Sequence, residues 1–305
     1  MITDWRINLI TGKSVFFPGA VEVETAEHPI ASRLREYLIE VTTRVPDAPQ
    51  DQFAATIEQT RYRFQRLVPG LYSLRVIPSD IIEVDNLGHR PPIIRALLDA
   101  RYSKGGMILI SGAAGSGKST TAASIVRERL RRHGGYCLTI EDPVEYLLEG
   151  FHGPGYCIQL EAEDTKDYQT QIVRAKRGFP AKTPGLLYLG EIRDPFTAQA
   201  SAQMAVAGCL VISTIHSFNI VSAVQNYLEL MGAENSAIAR YTVASCLKLV
   251  ICQSWDDNGK IFSEMLPIND MAIGAIKNGV LHTLKDAIAG VEASMISQST
   301  SGIYI

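Results

Sequence analysis

A glycine-rich loop behind a short apolar run constrains the fold of this chain more than any other feature. The loop, residues 112–120, has the sequence GAAGSGKST and follows the apolar residues 107–110. After it, Ala122, Ile125 and Val126 recur at three- and four-residue spacing, which predicts a helix with one apolar face. A strand, a glycine-rich loop and a helix in this order form the context that a phosphate-binding loop requires. A flexible loop before an ordinary helix would not need that order.

The residue types of this loop suit a chain of phosphates. Glycine adopts tight turns that a Cβ would forbid, so backbone N–H groups can face an anion at the positive end of the following helix. We expect Lys118 to reach the β- and γ-phosphates and Ser119 to bind Mg²⁺. The predicted nucleotide-binding residues of the loop are Gly112, Ala113, Ala114, Gly115, Ser116, Gly117, Lys118, Ser119 and Thr120.

Composition limits the remaining classes. With 305 residues, 46% of them hydrophobic, the chain has room for one large or two medium domains. Its net charge of −3 disfavours a nucleic-acid-binding surface. The five cysteines include no Cys-x-x-Cys pair, which is typical of reduced thiols and not of a zinc site or a disulfide framework. No signal peptide is recognised, and no apolar run approaches the ~20 residues of a membrane helix, so we expect any membrane role to be peripheral.

The patterns along the chain predict two domains. Residues 1–78 read as a small α+β domain, with a helix over 28–43 and a hairpin around Pro69-Gly70. Residues 79–305 read as strands alternating with helices, which predicts a mostly parallel sheet covered by helices. Residues 78–80 are the proposed hinge. Further predictions are a glycine-rich loop at 150–157, buried strands at 136–140, 186–189 and 209–212, a helix capped by Asp194, a hairpin turning at 256–259 and a polar tail after Ser297.

Polar clusters follow three of the predicted strands, at 141–145, 191–194 and 214–217. Ligands of such sheets bind at the carboxyl ends of the strands, so the clusters can converge on the phosphates. Phosphoryl transfer to water needs a carboxylate near the water, Mg²⁺ support and polar donors on the γ-phosphate. Glu145, Glu191 and His216 are the candidates for these tasks. Taken alone, Glu141 and Asp142 are more typical of a solvated strand end, and an isolated histidine is more often structural.

Four segments together resemble a known family. The loop 112–120, EDPVEY at 141–146, GEIRD at 190–194 and TIHS at 214–217 are similar to the Walker A motif, Asp box, Walker B motif and His box of the type II/type IV secretion ATPases. The resemblance covers roughly residues 60–290. It implies an α/β fold in which a RecA-like P-loop domain follows a small PAS-like domain. Without a Cys-x-x-Cys insertion, the chain is most similar to the pilus-retraction branch and its type IV secretion relatives.

The resemblance also implies residue roles, with ATP and Mg²⁺ as cofactors. Lys118 holds phosphate, Glu145 polarises the attacking water, and Glu191 acts through the shell of an Mg²⁺ that Ser119 binds. His216 lies near the γ-phosphate and the subunit boundary. Three arginines on the N-terminal hairpin match positions that reach the nucleotide in the family, although a solvated strand face would also explain them. These are Arg61, Arg63 and Arg75.

For the whole protein, the resemblance implies a homo-hexameric motor at the cytoplasmic face of the inner membrane. Its partners would be inner-membrane platform or secretion-channel proteins, with no direct nucleic-acid contact. Cys209 stands where the family usually has a histidine, and residues 272–277 lack the arginine of the retraction branch, so the direction of work stays open. Two alternatives remain at this point: an ATP-binding scaffold with little turnover, and a nucleic-acid translocase.

Overall fold

The computed structural model describes residues 2–44, 52–77, 80–162, 164–232 and 236–301. The chain divides into two compact units. The N-terminal unit contains Met1–Ile81 together with Asp142–Leu147 and Glu161–Tyr168, and the second unit contains the rest. The expected boundary between residues 78 and 79, and most of the expected hinge, fall on positions outside the described residues and stay predictions.

An antiparallel sheet and one long helix form the N-terminal unit. The strand order is β3-β2-β1-β6-β5-β4. The elements are β1 (Asp4–Asn8), β2 (Lys13–Phe17), β3 (Val21–Glu24), α1 (Pro29–Arg44), β4 (Gln52–Ile57), β5 (Thr60–Val68) and β6 (Leu71–Ile77). The predicted helix and hairpin are confirmed, whereas the sequence analysis missed β3 and β4.

The alternation of residues along these strands separates the two faces of the sheet. Trp5 lies opposite Leu74 in the β1/β6 register, and both are buried in the core together with Phe64 and Leu34 of α1. Positions one residue away point to the opposite face. Arginines occupy that second face: Arg63 lies directly opposite Arg75 on the paired strands β5 and β6, and Arg61 is two residues from Arg63.

An eight-stranded sheet with helices organises the second unit. Its order is β14-β13-β7-β12-β11-β8-β10-β9. The strands are β7 (Gly106–Gly112), β8 (Gly135–Glu141), β9 (Gly150–His152), β10 (Gly155–Glu161), β11 (Gly185–Leu189), β12 (Leu210–His216), β13 (Leu247–Trp255) and β14 (Ile261–Pro267). The helices are α2 (Pro91–Leu97), α3 (Lys118–His133), α4 (Thr165–Gly178), α5 (Pro195–Val206), α6 (Ile220–Leu230), α7 (Ala237–Cys246), α8 (Asp270–Asn278) and α9 (Leu284–Ser301).

The central strands of this sheet are parallel, which confirms the predicted fold class. Strand β7 pairs in parallel with both β12 and β13, and β11 pairs in parallel with β8 and β12. Every residue of β7 is buried, as expected for a strand covered on both faces. In the β7/β12 register His216 lies beside Gly112, so the ends of these strands are level with each other.

Two local predictions were wrong. The expected glycine-rich loop at 150–157 is the antiparallel hairpin β9/β10, in which the rings of Phe151 and Tyr156 lie 4.7 Å apart. That aromatic cross-strand pair favours pairing despite the neighbouring glycines. The expected polar tail after Ser297 is helical as far as Ser301. Among the described residues, no helix is long and apolar enough to cross a membrane.

Candidate functional site

The loop after β7 has a backbone that accommodates an anion. Gly117 caps the start of α3 with a left-handed φ of 86° and without a side-chain cap hydrogen bond. A Cβ on Gly112 would collide with the Gln253 carbonyl and the Ser116 hydroxyl, whereas the Cβ position of Gly115 faces open space. The buried Ser116 hydroxyl has no hydrogen-bond partner within the described parts of the chain. A left-handed glycine at the helix start, open space beside Gly115 and an unused hydroxyl together fit the phosphates of a nucleotide.

Lys118 is folded over this loop. Its Nζ donates to the carbonyl oxygens of Gly112 at 3.0 Å and Ala113 at 2.9 Å, although the side chain is largely buried. The same ammonium lies 3.3 Å from Nδ1 of His216. The β7/β12 register explains the approach, because it places His216 beside the first glycine of the loop.

Backbone and hydroxyl contacts tie the neighbouring strand ends together. The Gly190 N–H donates to Ile140 O at 3.0 Å, and the Ile192 N–H donates to Thr214 O at 2.9 Å. The Thr214 hydroxyl donates to Gly190 O at 2.6 Å. The ends of β8, β11 and β12 are therefore fixed relative to one another, and Glu191 lies on this fixed edge.

A line of three polar side chains results at this edge. His216 Nε2 lies 3.4 Å from Glu191 Oε1, and His216 Nδ1 faces Lys118. An ammonium can only donate, so Nδ1 of His216 is the acceptor here, and Nε2 is the ring nitrogen that faces the carboxylate. The line places a cation, a proton carrier and a carboxylate at the mouth of the loop.

The structure places Glu145 with the N-terminal unit. Arg61 Nε donates to Val144 O at 3.0 Å, and Arg61 Nη2 lies 2.8 Å from Glu161 Oε2. That same carboxylate oxygen accepts the Val144 N–H at 3.0 Å. Arg61 and Glu161 thus hold both peptide groups of Val144, the residue before Glu145, while Arg63 forms a 3.6 Å ion pair with Glu145 itself.

The remaining predicted residues have other surroundings. Arg75 is 70% exposed and its Nε donates to Asp4 Oδ1 at 3.0 Å. Glu141 was expected at a solvated strand end, and this was wrong: it is buried and accepts from Gln159 Nε2 at 3.1 Å. His89, which lies outside the predicted clusters, is 2.9 Å from Ser263 Oγ and 3.1 Å from Thr121 Oγ1, and burial lowers its pKa to about 4.

No cluster of three or more His, Cys, Asp or Glu side chains suited to a metal ion occurs in the described ranges. The magnesium site predicted from the sequence, with Ser119, Glu191 acting through water, and phosphate oxygens, stays a prediction. Mg²⁺ keeps several waters and binds nucleotide phosphates with few protein ligands, so these residues fit it.

The family model of the Type II/IV secretion system proteins matches residues 33–258. The chain belongs to this family. Among its relatives are the uncharacterized Escherichia coli (strain K12) protein YggR, 31% identical over 74% of this chain and 68% of YggR, and the Pseudomonas aeruginosa type IV pilus ATPase PilU, 27% identical over 73% of this chain and 57% of PilU. The Thermus thermophilus type IV pilus assembly ATPase PilB is 34% identical over 51% of this chain, but the match spans only 16% of PilB. The chain thus spans well under two thirds of PilU and PilB.

Two solved ATPase structures show the same fold. The pilus retraction motor PilT with bound ADP superposes with a TM-score of 0.75 at 21% identity, covering 93% of this chain and 84% of PilT. The Legionella pneumophila ATPase DotB gives a TM-score of 0.69 at 20% identity, covering 94% and 84%. These likenesses confirm the predicted fold of a P-loop ATPase domain preceded by a small domain.

Cys209, at the position where the resemblance led us to expect a histidine, lies away from the phosphate loop. It directly precedes β12, whereas His216 ends that seven-residue strand, so the two are separated by roughly 20 Å of extended chain. Burial raises the pKa of the Cys209 thiol to about 12, so the thiol is uncharged. The difference at this position therefore leaves the polar line beside the loop intact.

Sequence reasoning missed two residues that contact the loop. Gln253 Nε2 donates to Ser116 O at 2.7 Å, and Trp255 Nε1 donates to Gly115 O at 2.9 Å. Both belong to β13, more than 130 residues further along the chain. A polar and an aromatic residue at the end of a buried strand were the available signal, but no local pattern shows that β13 lies beside β7.

Proposed function

We propose that this protein is a Mg²⁺-dependent ATPase that converts ATP and water into ADP and phosphate to drive a pilus or secretion machine. The observation that carries the proposal is the line of Lys118, His216 and Glu191 at the mouth of the phosphate loop, with contacts of 3.3 Å and 3.4 Å. ATP is favoured over GTP because the sequence contains no Asn-Lys-x-Asp guanine motif.

The side chains divide the work as follows. The loop N–H groups and Lys118 bind the β- and γ-phosphates, and Ser119 with Glu191 holds the metal and its waters. When bound, Mg²⁺ neutralises charge on the phosphate oxygens. His216 acts as a polar group beside the γ-phosphate, and Glu145 orients the water that attacks the γ-phosphate.

The chain is further proposed to act as a homo-hexamer on the cytoplasmic side of the inner membrane, attached through platform or channel proteins. Hydrolysis would move the N-terminal domain against the P-loop domain, because clamping and loss of a γ-phosphate are recurrent triggers of such motion. The family membership supports this assignment. The named relatives include proteins of pilus assembly and retraction, so the machine and the direction are not part of the proposal.

The two alternatives are less well supported. The departure at Cys209 motivated a scaffold with little turnover, but that residue lies at the other end of β12 from His216. A nucleic-acid translocase conflicts with the net charge of −3. Salt-sensitive, DNA-stimulated hydrolysis would favour the translocase, and ATP-dependent oligomerisation with turnover no faster than that of Glu145→Gln would favour the scaffold.

A steady-state ATPase assay tests the proposal. Glu145→Gln should lower turnover by at least about 100-fold, the lower range for loss of a catalytic proton acceptor, and Lys118→Ala should lower it at least as far because it removes the phosphate-binding ammonium. Matched changes at exposed positions, Lys260→Ala and Glu27→Gln, should leave turnover unchanged. Hydrolysis at the wild-type rate by both site variants would refute the assignment.

A further inference from the structure

The carbonyl groups of the phosphate loop need hydrogen-bond donors of their own. Backbone N–H groups that face an anion leave the carbonyls of the same peptides pointing the other way, because N–H and C=O are antiparallel in a trans peptide. A buried carbonyl without a donor, as the Ser116 carbonyl would be, destabilises the loop, whereas the exposed Gly115 carbonyl could also accept from water. Two adjacent loop carbonyls, those of Gly115 and Ser116, find their donors on β13.

The first donor is a buried amide. Gln253 is 1% exposed and its Nε2 donates to Ser116 O at 2.7 Å. The orientation of the amide is set, because exchanging its nitrogen and oxygen would place two acceptors against each other. Fixing Ser116 O also fixes the opposite end of that peptide, so the Gly117 N–H points away from Gln253.

The second donor is an indole. Trp255 Nε1 donates to Gly115 O at 2.9 Å, which fixes the peptide whose N–H belongs to Ser116. That N–H closes the turn of the loop onto Ala113 O at 3.2 Å. The indole is 53% exposed, so one part of the ring contacts the loop while another remains accessible to solvent.

Both side chains pack against the same glycine. A Cβ on Gly117 would lie 3.3 Å from Gln253 Nε2 and 3.5 Å from Trp255 Cζ2. Gly117 is the residue that caps α3 in the left-handed conformation. The two β13 side chains therefore support the loop at the point where it becomes a helix.

We propose that Gln253 and Trp255 are positioning residues that hold the phosphate loop in its anion-binding shape, and that Trp255 senses occupancy of the loop by nucleotide. The inference rests on the proposed ATPase function. Neither residue is assigned a chemical step. They act through the peptide groups of Gly115 and Ser116, so their loss should weaken nucleotide binding before it affects the rate of bond cleavage.

The composition of the chain supplies a direct probe. Trp255 is one of two tryptophans, and the other, Trp5, is buried in the N-terminal unit. In a Trp5→Phe variant all tryptophan emission comes from Trp255. Saturating this variant with Mg-ADP should change the emission, and the same titration of Trp5→Phe/Lys118→Ala should not. Calorimetric binding of Mg-ADP without any change in emission would overturn the sensing role.

Calorimetry with Mg-ATP tests the positioning role. Trp255→Phe keeps a ring but loses the N–H, and should raise the dissociation constant about fivefold. Gln253→Leu leaves Ser116 O without a donor and should raise it at least tenfold. The unfolding midpoint of Trp255→Phe without nucleotide should equal that of wild type, while its increase on adding Mg-ATP becomes smaller. Phe262→Leu, at a similarly exposed aromatic residue (52%), is the matched control and should bind as wild type.

The outcomes separate the two hypotheses. Failure of the wild-type protein to bind Mg-ATP would overturn both. If wild type binds, Lys118→Ala does not, and Trp255→Phe and Gln253→Leu bind as wild type, only the positioning role is overturned. If both β13 variants lose unfolding midpoint in parallel with their loss of affinity, Gln253 and Trp255 have a merely structural role. That result would also overturn the positioning role.

Discussion

The phosphate loop and the segment that carries Glu145 are held by different kinds of interaction. Buried groups of the second unit fix the loop, including the amide of Gln253 and the largely buried Lys118. Partly exposed charges contribute to holding the segment 142–147: the Arg63–Glu145 pair has both side chains 33% exposed. Two side chains also hold the peptide groups of Val144 in this segment: Arg61 donates to its carbonyl, and Glu161 accepts from its N–H.

This difference separates a permanent site from an adjustable one. Removing a partner from a buried hydrogen bond costs about 1–3 kcal/mol, whereas a half-exposed ion pair contributes about 0–1 kcal/mol. The loop should therefore keep its shape throughout turnover. The Arg63–Glu145 ion pair is weak enough to be exchanged, which would suit the role proposed for Glu145.

The largest expected effects separate binding from turnover. Lys118→Ala removes the buried cation and should abolish both ATP binding and hydrolysis. Glu145→Gln should bind ATP within about twofold of wild type but lose 10²–10⁴ in turnover, as for removal of a general base. Parallel calorimetry and single-turnover assays measure the two quantities. Equal loss of affinity in both variants would remove the distinction between the two regions.

A second effect concerns His89, which anchors the first turn of α3 through Thr121. Burial lowers the pKa of His89 to about 4, so below pH 6.5 the unfolded chain binds a proton that the folded chain does not. Stability from this group is complete above about pH 6.5 and is lost as the pH falls towards 4. Urea unfolding should show about 2 kcal/mol less stability from this source at pH 5 than at pH 7. His89→Gln should flatten that pH dependence. His282→Gln, at an exposed histidine, is the control and should leave the dependence unchanged. An unchanged slope in His89→Gln would contradict the prediction.

A third and smaller effect concerns Arg61 and Glu161, which together hold the peptide groups of Val144. Arg61→Leu and Glu161→Gln should each lower turnover about tenfold with little change in ATP affinity, because they act on the segment and not on the loop. The double variant should be no worse than either single one, since both residues hold the same peptide groups. Arg61→Lys keeps the charge but lacks the forked N–H donors of the guanidinium. Its turnover should lie between that of Arg61→Leu and that of wild type. Additive losses of turnover in the double variant would contradict the inference that Arg61 and Glu161 act together on Val144.

The smallest effect is expected at Arg75. Its partner Asp4 is on a neighbouring strand, and the arginine is 70% exposed. The pair should therefore contribute no more than about 1 kcal/mol to the free energy of unfolding. Arg75→Ala should change the free energy of unfolding by less than that amount. Turnover measured at rising enzyme concentration is the sharper test, because a loss seen only in the oligomer would favour the nucleotide-reaching role.

The features predicted well from sequence are those encoded by neighbouring residues. The strand, loop and helix around 107–133 follow from apolar periodicity and glycine placement, and the Asp194 cap follows from an Asp-Pro pair at a helix start. The observed cap is a bond from the Thr197 N–H to Asp194 Oδ1 at 2.9 Å. Local rules suffice where both partners lie within one turn of each other.

Prediction failed where the deciding partner is distant in sequence. Arg61 and Glu161 are 100 residues apart, and Trp255 lies 140 residues from the loop it contacts. Trp255 contacts the loop because β13 lies next to β7 in the sheet. Hydrophobic periodicity carries no information on strand order. The hairpin at 150–157 was missed for a different reason: its glycines suggested a loop, but the aromatic pair across the strands decided the structure.

The short strand β9 also affects how copies of the chain can meet. It forms one outer edge of the eight-stranded sheet and contains only three residues. A long exposed edge would invite a second molecule to add its own strand and continue the sheet, which is a route to aggregation. An edge of three residues offers too few backbone groups for that. Any ring built from this protein would therefore be joined at this end through side-chain surfaces, which can separate and re-form.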